Sequence, residues 1–166
     1  MKRIIALAFT VALAIAVVTA GSIRAAGPEK DKPADEATAL AVKLTEQGAA
    51  TFDTFNAKAM ADYYLEGAEI ALVSKEEGGL KLQTQKGRAE IEKFYADIFK
   101  KPETIKSRNT VEYAKLIAPD VLVIAGTFDT NTLKPDSPKV PFYQVRVKKG
   151  DQWLMSSVRI FVLPRK

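Results

Sequence analysis

Hydrophobic and polar positions alternate most regularly between Val140 and Leu163. The runs from Val140 to Lys148 and from Trp153 to Val162 are rich in β-branched and aromatic residues, which predicts two long strands. Lys149-Gly150 reads as the two-residue loop joining them, so even positions before the turn share a face with odd positions after it. One face then carries Tyr143, Val145, Val147, Leu154, Ser156, Val158, Ile160 and Val162, and it calls for a cover of helices. The other carries Phe142, Gln144, Arg146, Trp153, Met155, Ser157, Arg159 and Phe161. That mixture of aromatics, Met and Arg has the composition of a protein interface.

Upstream the period changes to that of helices. Ala37, Leu40, Ala41, Leu44, Gly48, Phe52 and Phe55 recur at spacings of three and four, predicting a long helix from Asp35 to Phe55. A shorter helix is expected from Asn56, stopped by Gly67. Ala68–Ser74 and Leu80–Gln85 read as a hairpin about a Gly78-Gly79 loop. Ile91, Phe94, Tyr95, Ile98 and Phe99 mark a third helix, Arg88–Lys100, closed by Pro102. Ile105–Ile117 and Val121–Thr130 alternate again and read as strands on either side of Ala118-Pro119-Asp120.

The amino-terminal end follows none of these patterns. Lys2-Arg3 precede about 17 uncharged residues, Ile4–Ala20, the form of a secretory signal peptide rather than of a membrane span. Residues 1–26 are therefore expected to be a signal peptide cut between 20 and 26. Residues 27–34 follow as a charged, proline-containing linker, and 35–166 as one domain. The expectation is an exported protein, periplasmic or secreted, with no stable membrane span after cleavage.

The chain has 25 Lys and Arg against 20 Asp and Glu, and without Lys2 and Arg3 the excess falls from +5 to +3. The positive residues are interspersed with acids, so no nucleic-acid partner is expected. There is no Cys and no His, which removes disulfides, thiol chemistry, thiolate and imidazole metal ligands and the commonest acid–base catalyst. No metal and no cofactor are expected, and any chemistry falls to carboxylates, Tyr and Lys.

The order helix, helix, hairpin, helix and four successive strands carries a resemblance. Phe55-Asn56-Ala57-Lys58, Tyr64-Leu65-Glu66-Gly67-Ala68-Glu69-Ile70, Gly87-Arg88-Ala89-Glu90-Ile91-Glu92-Lys93-Phe94-Tyr95 and Val145-Arg146-Val147-Lys148-Lys149-Gly150-Asp151-Gln152-Trp153 stand where related chains place them. From Asp35 to Leu163 the chain resembles the nuclear-transport-factor-2-like superfamily, the cystatin-like α+β barrels, and within it SnoaL-like and SgcJ/EcaC-type domains related to ketosteroid isomerase. The resemblance implies an α+β fold in which three helices pack in a strongly curved antiparallel sheet of about six strands. It also implies an apolar pocket inside that cone and a homodimer packed through the outer sheet surface. Gln144, Arg146, Trp153, Met155 and Arg159 are the expected interface.

The resemblance implies, for an isomerase, a Tyr on helix one, a carboxylate base on the first strand and a second acid on a later strand; these positions fall near Thr51, Leu72 and Tyr143, none of which can do that work. A small hydrophobic ligand is expected instead, in a pocket containing Thr51, Phe52, Phe55, Tyr64, Phe94, Tyr95, Tyr143 and Ser156. The bland alternative is that these tyrosines pack in the core with hydroxyls at its rim. Asp129, in an otherwise apolar strand, is the best candidate for a general base, against its reading as a solvated strand end. The leading expectation is thus an exported domain binding a small hydrophobic ligand or partner. The alternative is a cofactor-independent isomerase, cyclase or hydratase in which Asp129 or a pocket Tyr moves a proton.

Overall fold

The computed structural model describes residues 32–76 and 78–162; the expected signal peptide and residues 27–31 of the linker lie outside them. The elements are α1 (Lys32–Phe52), α2 (Ala57–Ala61), β1 (Tyr64–Glu76), β2 (Gly79–Lys86), α3 (Arg88–Ile98), β3 (Arg108–Ala118), β4 (Val121–Asp129), β5 (Lys139–Lys149) and β6 (Gln152–Val162). This is the expected α+β fold, with three helices and a six-stranded sheet in the order β2-β1-β6-β5-β4-β3. All neighbouring strands are antiparallel except β1 and β6, which run parallel.

Two helix boundaries differ from those expected. α1 begins at Lys32, inside the segment read as linker, because Pro33 in a first helical turn forfeits no hydrogen bond. α2 stops at Ala61, well before Gly67. Tyr64 is already strand, paired with Met155, and this long-range pairing overrides a helical spacing that continued only through aromatic residues. Phe55, at φ 55°, turns the chain out of α1, and the Asn56 side chain accepts the Ala59 N–H at 2.9 Å to cap α2.

The sheet is bent around the helices at register shifts in β1, β3 and β6. β3 and β4 approach closely at Gly126: a Cβ there would lie 2.1 Å from the Thr110 carbonyl oxygen. Met60, Tyr64, Ile70, Ile91, Tyr95, Met155 and Val158 form one buried cluster beneath α2 and α3. Ala37, Ala41, Leu44, Leu122, Ile124 and Phe142 form the other, beneath α1. Phe52 belongs to the edge of the first, yet its ring also meets Phe128 edge-on at 5.1 Å, so the end of α1 ties the two halves together.

The hairpin β5–β6 departs from the expected register in a way that decides the site. Lys149 pairs with Gln152, so Gly150-Asp151 is the loop, with Gly150 at φ 58°. Arg146 pairs with Met155 but Val145 pairs with Ser157, leaving Ser156 as an extra residue in β6. That bulge exchanges the two faces of β6 partway along its length. The helix-facing side therefore carries Phe142, Gln144 and Arg146 from β5 with Met155, Val158 and Ile160 from β6.

Candidate functional site

Between helices and sheet lies a cavity of about 340 Å³. Gly48, Ala49 and Phe52 of α1, Met60 of α2, Phe94, Tyr95 and Ile98 of α3, and Leu72, Phe128, Val140, Phe142, Val158 and Ile160 of the sheet give it an apolar wall. Thr45, Asn109 and Thr130 also reach it, but all three are already engaged, Thr130 through Ser137 Oγ at 3.0 Å and the Pro138 carbonyl at 3.3 Å. The Thr45 hydroxyl donates to the Ala41 carbonyl at 2.9 Å, and the Asn109 amide donates to the Thr45 carbonyl at 2.9 Å. A second, polar cleft of about 540 Å³ opens on the outside at Lys43, Gln47, Asp62 and Trp153. The interior cavity is the candidate site, because buried polar groups converge on it within an apolar enclosure.

The floor of the cavity is formed by Arg146, 1% exposed, with Gln144 and Tyr95 beside it. Arg146 donates from Nε to Gln144 Oε1 at 2.9 Å and from Nη1 to the Trp153 carbonyl at 3.4 Å. Among the described residues no ion pair includes it. Burial pulls the guanidinium down to about 10, opposed by the neighbouring Tyr64, Tyr63 and Tyr95, and it remains a cation at neutral pH. Because Gln144 spends its oxygen on Arg146, only its amide N–H groups remain to bind.

Tyr95 and the fully buried Tyr64 share a hydrogen bond of 2.9 Å between hydroxyls. Only one of the two protons lies between them, so the other is still available to an acceptor. Burial pushes the Tyr95 phenol up to about 12 and Tyr64 well above the ordinary value, so both stay neutral donors. The groups left over at the floor are a cation and donors. No Asp or Glu lines the cavity.

Tyr95→Phe is expected to cost about 1–2 kcal/mol by stranding the Tyr64 hydroxyl. The phenol of Tyr95 titrates higher folded than unfolded, so its contribution is complete below pH 10 and is lost as pH rises to about 12. Chemical denaturation across that window should show the wild type losing stability more steeply than the variant.

Of the residues predicted to line a pocket, Phe52, Phe94 and Tyr95 do so, and Tyr64 lies directly behind Tyr95. Thr51 faces the outer cleft, where its hydroxyl meets that of Tyr63 at 3.0 Å, and Phe55 packs edge-on against Phe99. Tyr143 is 41% exposed on the outer sheet surface, and Ser156 at the bulge donates to the Val145 carbonyl at 3.2 Å. Four of the five residues predicted for a subunit interface point the other way. Gln144, Arg146 and Met155 are buried inside the cone and Trp153 packs beneath α1, which leaves Arg159 as the outward-facing member, paired with Glu69.

Asp129 is buried, and its carboxylate accepts the Asn131 N–H at 3.2 Å. Phe128 and Thr130 line the cavity, so alternation turns Asp129 away from it. It holds the turn after β4. Asp129→Asn keeps the accepting oxygen and is expected to leave ligand binding within about twofold and stability within about 0.5 kcal/mol, read by calorimetry and thermal melting. Among the described residues no cluster of carboxylates suits a metal ion, and no helix is long and apolar enough to cross a membrane.

Sequence reasoning missed the placement of Arg146 and Gln144 in the cavity lining. The signal was present as Gln-Val-Arg on an otherwise apolar strand, but a bulge not visible in the pattern moves Val158 and Ile160 onto that face of the sheet.

No protein-family model matches the chain, and no curated protein matches its sequence. Solved structures do match. A domain of unknown function with a cystatin-like fold from Nostoc punctiforme superimposes with a TM-score of 0.59 at 12% identity, covering 76% of this chain and 76% of that one. An NTF2-like protein of unknown function from Shewanella oneidensis gives a TM-score of 0.59 at 17% identity, over 75% of this chain and 98% of that one. An NTF2-like protein from Novosphingobium aromaticivorans gives 0.53 at 14% identity, over 79% and 84%. Together with the element order and the curved six-stranded sheet, these likenesses show that the chain has the cystatin-like α+β fold of the NTF2-like proteins.

Proposed function

We propose that this chain is an exported binding domain whose cavity holds a small apolar molecule bearing one anionic group, paired with Arg146. The carrying observation is the cation at the floor: a guanidinium 1% exposed, with no carboxylate partner among the described residues, lining an apolar-walled cavity. A buried charge without a counter-ion is costly, and a ligand anion is what would offset that cost. The remaining floor groups are donors, which suits an acceptor-only head such as a carboxylate and disfavours an amine. A binding role is preferred to catalysis because no carboxylate base borders the cavity. Export rests on the sequence pattern of residues 1–26.

Isothermal titration at neutral pH with octanoate and octanol tests the reading. The acid is expected to bind at least about tenfold more tightly, since a charge-assisted hydrogen bond contributes about 1.5–3 kcal/mol. Equal affinities would remove Arg146 from ligand recognition.

A homodimer through the outer sheet surface belongs to the same proposal. Tyr143 and Tyr113 are exposed there, and the Arg159–Glu69 pair lies among the half-buried Val73, Val145 and Phe161. Tyr143→Glu is expected to convert a dimer to a monomer in analytical ultracentrifugation at micromolar concentration. A wild-type monomer under those conditions would remove the dimer.

A further inference from the structure

Burial around the cavity is graded. Along β5 it falls from Arg146, 1% exposed, through Gln144 and Phe142 to the partly exposed Val140. Along β6, paired with β5, it falls in the same direction from Val158 to Ile160, and Ile98 of α3, also in the lining, is 46% exposed. The cation therefore sits at the closed end and apolar residues frame the mouth. Arg146 and Val140 are separated by about 20 Å of strand.

This polarity fixes an orientation. A charged head cannot stay at the mouth and also reach Arg146, and an apolar tail at the floor would bury the guanidinium against hydrocarbon. The floor holds one cation, so a head with two charges would carry one of them unpaired into an apolar enclosure. The side chains between floor and mouth offer the tail little to pair with, because the Thr45 and Thr130 hydroxyls and one N–H of the Asn109 amide are already bonded within the protein. At about 30 Å³ for a water-sized group, a 340 Å³ cavity takes roughly eleven non-hydrogen atoms, two of them the carboxylate oxygens, which leaves about nine carbons.

We propose that the occupant is an apolar monocarboxylate of about nine carbons, seated carboxylate-first on Arg146 with its tail ending at Ile98. The inference rests on the anion-binding reading above and adds the direction and length of the ligand. Gln144 is a positioning residue for Arg146, and Ile98 is where chain length is read.

The test uses the purified full chain with decanoate carrying ¹³C at the carboxyl or at the terminal methyl, observed by NMR with a soluble paramagnetic agent. The methyl signal is expected to broaden and the carboxyl signal to be protected. A series of straight-chain acids should gain about fourfold in affinity per methylene up to about nine carbons and then level off. Ile98→Asp, at an exposed position that the fold tolerates, should weaken decanoate about tenfold and hexanoate several-fold less. A protected methyl with a broadened carboxyl, or an Ile98→Asp penalty equal for all lengths, overturns the inserted orientation while leaving anion binding intact. Acids that bind no better than alcohols overturn the anion-binding reading itself, and the orientation with it.

Discussion

Arg146→Met is expected to make the empty protein more stable and to abolish its preference for acids. The wild-type guanidinium is buried with one amide oxygen and one distant carbonyl as its acceptors, which does not replace the water it has lost. Methionine fills a similar length of the floor without a charge. Exchanging buried ions for apolar side chains commonly gains about 1–4 kcal/mol. Part of the gain is offset because Gln144 Oε1 loses its donor, at about 1 kcal/mol. A net rise of about 1–2 kcal/mol in denaturant unfolding, with an acid affinity reduced roughly 100-fold, is the expected pair of results.

Burial pulls the folded guanidinium down to about 10, so in the window from there up to its ordinary value the unfolded chain holds more protons. Stability should therefore rise with pH through that window in the wild type relative to Arg146→Met. A variant that is less stable and equally selective would show that Arg146 serves the fold and not a ligand.

Gly126→Ala is the second large effect, and it concerns the scaffold. The added Cβ would meet the Thr110 carbonyl oxygen at 2.1 Å and its carbon at 3.1 Å, both backbone atoms of the paired strand. No rotamer relieves such a contact, so β3 must move off β4, carrying Asn109 and its bond to α1 with it. The expected loss is about 3 kcal/mol or more, at the upper end of what overpacking costs. Thermal melting would read it as a drop of several degrees. An unchanged melting temperature would mean that the approach of these two strands is looser than their geometry states.

The elements were legible because each announces its period over many residues: α1 through the spacing Ala37, Ala41, Leu44, and β3 to β6 through alternation interrupted by glycine, proline and aspartate. Where chain and pattern disagree, long-range pairing is the cause. Tyr64 looks helical beside Met60 and Tyr63, yet it is drawn into β1 by pairing with Met155. Phe52, Phe94 and Tyr95 were identified as pocket residues because helix faces can be read from spacing alone. Tyr143, Gln144 and Arg146 were assigned to the wrong sides because a face of a strand has no sign until its register is known. The extra residue at Ser156 reverses the relation between β5 and the far half of β6. A single inserted residue in the hairpin thus carries Val158 and Ile160 onto the face of Arg146, and with them the apolar weight by which the inner face is told from the outer.

The central claim is that Arg146 waits for an anion. Native mass spectrometry of the full chain, purified gently from its own source beside Arg146→Met, addresses it most directly. One acid per wild-type chain, released and identified after denaturation and absent from the variant, is the predicted result. An empty wild-type chain, or the same neutral compound retained by both proteins, would contradict it.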